Sequence, residues 1–316
     1  MADAVDVLGV VGAGIMGRGI ALAFALSGTQ VRLADADLAA AVASRERLRP
    51  DLEIAIAVGV TDADPDEVLA RIKPVGSITK AADGAGLVIE AVPENLELKV
   101  RVWQELADCA HAETILASNT SSFDLDLIAA SVPHAGRVIG SHWFNPAHIV
   151  TCVEVVRGSQ TREETVDEIC DLLRAIGKRP NVVQNSPGFI ANRIQFAMVR
   201  EAIACLDEGL ASAQVIDEIV QTSFGPRLSA FGPLQLADLG GLDTYQSILR
   251  YLADQLGNRY DSPPLLDRLV AQHRLGVKTL AGISDYDEDS ARALLGRRDE
   301  ALYRLFGQPA QEASYP

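Results

Sequence analysis

Residues 7–17 read Val7-Leu8-Gly9-Val10-Val11-Gly12-Ala13-Gly14-Ile15-Met16-Gly17, an apolar run that enters a glycine-rich turn. A short apolar run of this kind predicts a buried strand, and the residues after it predict a helix that begins at once. In such a turn Gly12 permits the sharp change of direction, Gly14 lets the backbone approach a pyrophosphate, and Gly17 lets the helix pack on the strand. The unpaired N–H groups of the first helical turn, around Ile15 and Met16, would bind the phosphates. The stretch therefore predicts a dinucleotide-binding strand–turn–helix unit.

A second apolar run, Val31 to Ala34, ends in Asp35. A carboxylate at this point can accept hydrogen bonds from both ribose hydroxyls of adenosine and would repel a 2′-phosphate. The sequence therefore predicts NAD as the cofactor in preference to NADP. Asp35 could instead be a helix N-cap, but its register with the three glycines favours the ribose role.

Apolar runs alternate with helical patterns up to residue 184, as they do in βαβ units. The predicted strands are Val7–Val11, Val31–Ala34, Leu87–Glu90, Ile115–Ser118, Val138–His142, Val153–Val156 and Pro180–Val183. The stretch from Leu38 to Val75 has a helical pattern, and from residue 185 onward the chain is almost wholly helical in period. We therefore expect an α/β protein: a Rossmann-type doubly wound sheet in residues 1–184, followed by an all-α C-terminal domain in residues 185–316.

The composition excludes several classes of protein. The 316 residues carry a net charge of −15 and contain no run of Lys or Arg, so nucleic acid is not an expected partner. Four cysteines without a C-x-x-C pair predict reduced thiols, and neither a disulfide framework nor a metal site is expected. The sequence begins with acidic residues and has no apolar stretch of membrane-spanning length, so we expect no signal peptide, no membrane partner and a cytoplasmic location.

Polar residues follow several of the predicted strands, where ligands bind in an open α/β sheet. Among the histidines, His142 is the one that lies at the end of a predicted strand, where catalytic residues are expected. Glu154 lies in the next apolar run. A chain that turns at Pro146 and returns antiparallel would bring the two side chains together. A carboxylate on one ring nitrogen fixes the tautomer and leaves the other nitrogen to exchange a proton with substrate. The alternative is that His142 is a hydrogen-bonded core residue.

Six motifs, in this order and spacing, resemble those of the L-3-hydroxyacyl-CoA dehydrogenases. They are G-A-G-I-M-G-R-G-I-A from Gly12, V-I-E-A-V-P-E-N-L-E-L-K from Val88, S-N-T-S-S from Ser118, H-W-F-N-P from His142, V-E-V-V from Val153 and P-G-F-I-A-N-R from Pro187. The resemblance covers nearly the whole chain. It implies hydride transfer between a 3-hydroxyl and NAD, a small-molecule substrate, and a helical domain that closes the substrate cleft and forms a homodimer.

The resemblance also implies roles for individual residues. His142 would be the proton acceptor and Glu154 its orienting partner, while Ser121 and Asn192 would hydrogen-bond the reacting oxygen. The nicotinamide side of the cofactor site would include Glu94, Lys99, Asn119 and Asn145, with Lys278 as a further cofactor contact.

These assignments have plainer alternatives. Ser121 and Asn119 could be turn formers and helix caps, and Glu94 could cap a helix or simply pair with Lys99. A structural role for Asn192 inside a helix would be costly, because its side chain competes with the backbone for hydrogen bonds.

The sequence departs from the resemblance mainly where a CoA group would bind. Thr151 stands where family members that use acyl-CoA often carry a lysine, no lysine lies between Leu38 and Lys73, and Leu280 replaces a family glycine. Two residues are open as substrate contacts: His148 is either an exposed loop residue or a partner for a substrate anion, and Arg227 is either a helix end or an anion contact.

Three functions therefore remain possible at this point. The first is an NAD-dependent dehydrogenase of a 3-hydroxyacyl thioester (3-hydroxyacyl-CoA), with a role in fatty acid metabolism. The second is a dehydrogenase of a free small hydroxy acid or hydroxymethyl carboxylate, as in side branches of the superfamily. The third is a catalytically silent NAD-binding or structural protein, against which the intact set of catalytic residues argues.

Overall fold

A computed structural model describes residues 5–307 of the chain. The contacts divide the chain into two compact units, with the division between Met198 and Val199. This division falls inside a helix, whereas the boundary predicted at residue 185 directly follows a strand. Among the described residues, no helix is long and apolar enough to cross a bilayer.

The first unit is built on one eight-stranded sheet. Its strands are β1 (Val7–Val11), β2 (Gln30–Ala34), β3 (Ile72–Val75), β4 (Leu87–Glu90), β5 (Ile115–Ser118), β6 (Val138–Trp143), β7 (Cys152–Arg157) and β8 (Arg179–Gln184). The strand order is β3-β2-β1-β4-β5-β6-β7-β8, and only the β6–β7 pair is antiparallel. The strand order reverses between β1 and β4, which is where a doubly wound sheet binds its ligand. The predicted fold class and all seven predicted strands are confirmed.

The prediction of helix throughout Leu38–Val75 is wrong at its end, because Ile72–Val75 forms strand β3 at the edge of the sheet. Lys73 and Pro74 interrupt the apolar run that would have indicated this strand in the sequence. Proline has no backbone N–H group to donate to a neighbouring strand. On the outer side of an edge strand there is no neighbouring strand, so no hydrogen bond is lost there. Pro74 therefore fits an edge strand while it breaks the apolar pattern of a central one.

Helices cover both faces of the sheet, and a separate apolar core lies between the sheet and the helices on each face. The helices of this part of the chain are α1 (Ile15–Leu26), α2 (Leu38–Glu46), α3 (Arg49–Ala57), α4 (Pro65–Ala70), α5 (Ile78–Ala82), α6 (Leu96–Cys109), α7 (Leu125–Ala129), α8 (Glu163–Ala175) and α9 (Ala191–Asp207). Leu8 and Val10 of β1 belong to one core, whereas Val11 and Trp103 belong to the other. Burial of both faces explains why the central strands read as continuous apolar runs.

The second unit is helical, as predicted. Beyond the end of α9 it contains α10 (Ala213–Thr222), α11 (Gly225–Ala230), α12 (Pro233–Gly240), α13 (Leu242–Leu256), α14 (Pro264–Ala271) and α15 (Glu288–Phe306). Its small core includes Phe231 and Leu294. The buried Asp238 carboxylate accepts hydrogen bonds from Ile283 N, Ser284 N and the Tyr286 hydroxyl, which fixes the turn before α15. Burial, together with the bond to Asp238, raises the pKa of Tyr286 to about 12.

Candidate active site

The glycine turn has the geometry that the sequence predicts. Gly12 adopts φ +102°, and a Cβ at this position would lie 2.6 Å from the Ala91 carbonyl oxygen. A Cβ on Gly17 would lie 1.8 Å from the Gly12 oxygen, so the turn and α1 can meet only if residue 17 is glycine. At Gly14, by contrast, a Cβ would meet no atom within 4 Å, and no side chain caps α1. Open space at an uncapped helix N-terminus is what a pyrophosphate requires.

The Asp35 carboxylate lies beside this turn at the end of β2. Its Oδ2 accepts a hydrogen bond from Ala13 N at 3.0 Å. The N-cap of α2 is Asp37, whose side chain accepts from Ala39 N, so Asp35 does not fill the capping role that the sequence left open. Asp35 lines a cavity of about 340 Å³ together with Gly12 at the end of β1, Ile78 at the start of α5 and residues of α6. The cavity and its carboxylate fit the adenosine half of NAD.

A buried polar network supports the loop that follows β5. The Glu94 carboxylate accepts hydrogen bonds from Thr120 Oγ1 at 2.6 Å and from Ser121 N at 3.0 Å. Lys99 Nζ lies 3.2 Å from Glu94 and 2.8 Å from Glu90. Burial acts to raise the pKa of Glu94, but the Thr120 hydroxyl, the Lys99 charge and the Ser121 amide together lower it. Glu94 is thus an ionised anchor for the segment that carries Ser121.

The network also includes Lys99, which was expected on the nicotinamide side of the cofactor site. Its side chain is only 1% exposed and is shared by two carboxylates, so its ammonium does not face the open cofactor site. Glu90, fully buried, also accepts hydrogen bonds from Ser118 Oγ and Trp103 Nε1. Lys99 therefore supports the site through Glu94. Of the two plainer functions weighed for Glu94, the pairing with Lys99 is present, whereas α6 is capped by Asn95.

His142 and Glu154 form a buried pair. The two residues are direct partners across the antiparallel β6–β7 ladder, and His142 Nδ1 lies 2.8 Å from Glu154 Oε2 with each side chain 4% exposed. The other carboxylate oxygen accepts hydrogen bonds from Ile190 N and Ala191 N, the first amides of the helix α9 region. The predicted antiparallel return of the chain is confirmed.

The surroundings hold the Glu154 carboxylate ionised and orient the His142 ring. Burial acts to raise the pKa of Glu154, but the hydrogen bond with His142 and those from the Ala191 and Ile190 amides lower it. The His142 ring packs between Phe144 and Phe189, with ring centroids 4.7 and 5.5 Å away. A carboxylate that receives the Nδ1 proton leaves Nε2 as the proton acceptor. The pair can therefore take a proton from a bound hydroxyl.

Hydrogen bonds connect the remaining predicted residues of the first unit to this pair. Asn192 Nδ2 donates to the Ser121 carbonyl oxygen at 2.9 Å, and Asn192 directly follows Ala191, which donates to Glu154. Asn119 Oδ1 accepts from the backbone N–H of Trp143, the neighbour of His142. The structure thus brings Ser121 and Asn192 together and links both to the His142–Glu154 pair.

The loop after β6 carries Asn145 and His148. The Asn145–Pro146 peptide bond is cis, and Asn145 is exposed. His148 is half-buried, and burial, together with the charges of Lys178 and Arg18, lowers its pKa against the opposing effect of Asp51. His148 is therefore neutral at neutral pH.

Lys178 is a residue of this site that sequence reasoning missed. Its buried ammonium donates to the carbonyl oxygens of Ala147 at 2.7 Å and Val150 at 2.9 Å, and it lies 5.5 Å from the Trp143 ring centroid. A lysine between a helix and a strand is normally solvated, so no sequence pattern indicated this role. Glu90 was also missed, although a carboxylate at the end of an apolar strand was a usable signal.

Two further predicted residues belong to the second unit. Lys278 Nζ lies 2.6 Å from Asp243 Oδ1, and Arg227 lines a cavity of about 380 Å³ with aromatic and aliphatic residues and Arg298. Leu280, which stands in place of a family glycine, adopts the left-handed φ of +56° that glycine would favour.

The fold and the site define a dinucleotide-dependent dehydrogenase with a histidine–carboxylate pair. Residues 7–186 match the family described as 3-hydroxyacyl-CoA dehydrogenase, NAD binding domain, and residues 188–286 match the 3-hydroxyacyl-CoA dehydrogenase, C-terminal domain. The chain belongs to the 3-hydroxyacyl-CoA dehydrogenase family, and the prediction of NAD as cofactor is confirmed by the first match.

Individual relatives agree with this family. A probable 3-hydroxybutyryl-CoA dehydrogenase of Bacillus subtilis is 39% identical over 284 residues, covering 89% of this chain and 98% of the relative. A 5-formyl-3-hydroxy-2-methylpyridine 4-carboxylate 5-dehydrogenase of Mesorhizobium japonicum is 33% identical over 296 residues, covering 93% of this chain and 95% of the relative. The crystal structure of a 3-hydroxyacyl-CoA dehydrogenase from Archaeoglobus fulgidus superposes with a TM-score of 0.75 at 31% identity, covering 95% of this chain and 99% of that one.

Proposed function

We propose that the protein interconverts an L-3-hydroxyacyl thioester and its 3-keto form, with His142 as acid and base. The observation that carries the proposal is the buried His142–Glu154 pair at 2.8 Å, tied through the start of α9 to Asn192 and Ser121. This constellation supplies a proton acceptor next to polar groups that can hold an oxygen.

The roles follow from the hydrogen bonds. Glu154 keeps the proton on His142 Nδ1, so Nε2 removes the proton of the substrate hydroxyl. The Ser121 hydroxyl and the Asn192 amide stabilise the negative charge that develops on that oxygen. When bound at the glycine turn, NAD would supply the hydride acceptor for the carbon that carries the hydroxyl. In the reverse direction His142 returns the proton to the keto oxygen.

The residues around the glycine turn fit NAD. The open space at Gly14 would admit the pyrophosphate, and Asp35 would accept hydrogen bonds from the adenosine ribose. Of the nicotinamide contacts carried over by resemblance, Glu94, Asn119 and Asn145 remain assigned to the cofactor side. Lys99 acts through Glu94, and Lys278 remains assigned as a cofactor contact.

A free small hydroxy acid is the second candidate substrate. Thr151 and the lack of lysine between Leu38 and Lys73 remove the lysines that would meet the CoA phosphates, and leave Arg45, Arg47 and Arg49 as the basic residues that could take their place. The Mesorhizobium relative, named for a pyridine carboxylate, is similar over 93% of this chain. His148 and Arg227 would then be the candidate partners of the substrate carboxylate.

The two candidates are separated by NADH oxidation with acetoacetyl-CoA on one hand and free acetoacetate and other small keto acids on the other. Activity on the thioester that is lost in His142→Ala supports the first candidate. Activity on the free acids alone contradicts it and supports the second. No activity on either, with NAD still bound, would support the silent NAD-binding protein.

We propose further that the enzyme is a homodimer of the cytoplasm. The amphipathic helices α10, α11 and α14 have no fully buried residue, and apolar side chains such as Ile219, Leu228 and Leu265 are exposed. Exposed apolar faces of this kind mark association surfaces. The four cysteines are free thiols, as expected in a reducing compartment. Sedimentation that gives a monomer at micromolar concentration would contradict the dimer.

A further inference from the structure

A further cavity lies at the edge of the sheet opposite the proposed active site. It measures about 590 Å³ and is lined by small apolar side chains and four residues that can carry charge: Glu113, His134, Arg137 and Arg162. Glu113 lies just before β5 and Arg137 just before β6, so the cavity faces the amino ends of these strands. His142 lies near the carboxyl end of β6, opposite Glu154 of β7, at the other edge of the sheet.

Arg137 is a buried cation without a carboxylate partner. It is 5% exposed, its Nη1 donates to the carbonyl oxygens of His111 and Thr114, and its Nε has no hydrogen-bond partner among the described residues. No ion pair involving Arg137 is formed within residues 5–307. Burial lowers the pKa of the guanidinium, and the charge of Glu113 opposes this effect. A buried charge that lacks a partner is costly, which indicates that an anion completes the site.

A second arginine is held beside the same cavity. Arg162 N donates to the Gly136 carbonyl oxygen at 2.9 Å. A Cβ at residue 136 would lie 2.7 Å from Arg162 Cγ, so the glycine lets the arginine stem pack against the backbone. Two guanidinium groups against the single Glu113 carboxylate leave the lining with an excess positive charge. His134 adds to that charge when protonated.

We propose that this cavity binds a small oxyanion, a phosphate or carboxylate group, through Arg137 and Arg162. A guanidinium presents a planar set of donors that matches both groups. The volume is within the range of small-molecule sites, so an organic phosphate or carboxylate fits as well as an inorganic ion. Because the cavity and the dinucleotide site lie at opposite edges of the sheet, NAD does not compete for it.

Titration calorimetry with inorganic phosphate and, separately, malonate tests the proposal on the whole protein saturated with NAD. The loss of Arg137 removes a bond that fixes residue 111, so variants at exposed Arg162 and Glu113 carry the test. Arg162→Gln should weaken the binding about tenfold, the equivalent of one charge-assisted hydrogen bond. Glu113→Gln should strengthen it severalfold, because it removes the one opposing carboxylate. Arg101→Gln, which removes a charge from α6 outside the cavity, is the matched control and should leave the Kd unchanged.

The tighter of the two probes assigns the ligand as a phosphate or a carboxylate. The proposal fails if neither probe gives saturable binding below about 10 mM. It also fails if Arg162→Gln and Glu113→Gln bind as the wild type does, or if saturation with NAD abolishes binding, since the anion would then occupy the dinucleotide site.

Discussion

Replacement of Glu154 by glutamine is the most informative perturbation of the site. The carboxylate accepts from His142 Nδ1 on Oε2 and from the Ile190 and Ala191 amides on Oε1. A glutamine of the same shape has one oxygen and one NH2 group. If its oxygen serves the two backbone amides, its NH2 group faces His142 and forces the proton of the ring onto Nε2, which then cannot accept a proton from substrate.

The magnitude follows from the alternative orientation. To turn its oxygen to His142, the glutamine must leave the part-buried N–H groups of Ile190 and Ala191 without their acceptor, at a cost of about 2 kcal/mol for the two. This cost lowers the competent population about 30-fold. Loss of the carboxylate charge beside the imidazolium removes about 2 kcal/mol more, for a further factor of about 30. We therefore expect Glu154→Gln to lower kcat about 10³-fold, with the Kd for NAD little changed.

The assay is steady-state kcat with the substrate found for the wild type, beside an independent measurement of NAD binding. Glu168→Gln, an exposed carboxylate of α8, is the matched control and should retain full activity. A Glu154→Gln enzyme that binds NAD normally and keeps kcat within tenfold of wild type would refute the reasoning about the tautomer.

The same carboxylate makes folding stability depend on pH. The folded-state pKa of Glu154 lies below its ordinary value of 4.5, because the bonds from His142 and two backbone amides outweigh the effect of burial. Its contribution to stability is therefore present above about pH 4.5 and is lost as the pH falls through the folded-state pKa. The difference in unfolding free energy between wild type and Glu154→Gln should shrink over that acid range.

Three further predictions test the cofactor turn, the buried network and the substrate loop. Gly17→Ala should lower Tm sharply, because its Cβ would overlap a backbone oxygen at 1.8 Å. Gly14→Ala should keep the wild-type Tm and weaken NAD binding at least tenfold, because its Cβ would enter open space. Equal Tm values for the two variants would contradict the steric argument. Lys99→Met should destabilise the fold by about 3 kcal/mol, since it leaves the fully buried Glu90 unpaired; denaturant unfolding that matches wild type would exclude this role. His148→Ala should raise KM more than it lowers kcat, and unchanged kinetics would remove this residue from the site.

Much of the site follows from sequence because its residues stand at fixed points of a regular fold. Gly12 and Gly17 are required by a turn whose backbone leaves no room for a side chain, and Gly14 stands where the turn opens to solvent. His142 and Glu154 are brought together by one antiparallel ladder, so a turn at Pro146 was enough to predict the pair. Local geometry of this kind requires particular residue types at fixed spacings, so it can be predicted from the sequence.

The sequence by itself determined the βαβ succession, the dinucleotide turn and the helical character of the C-terminal part. Only the tertiary structure decided that Lys99 is buried between two carboxylates, that Lys178 binds the loop after β6, and that Arg137 lacks a carboxylate partner. A charged residue reads as solvated in a sequence. Whether it is buried, and which group compensates its charge, depends on segments that lie far apart in the chain and meet only when the sheet is assembled.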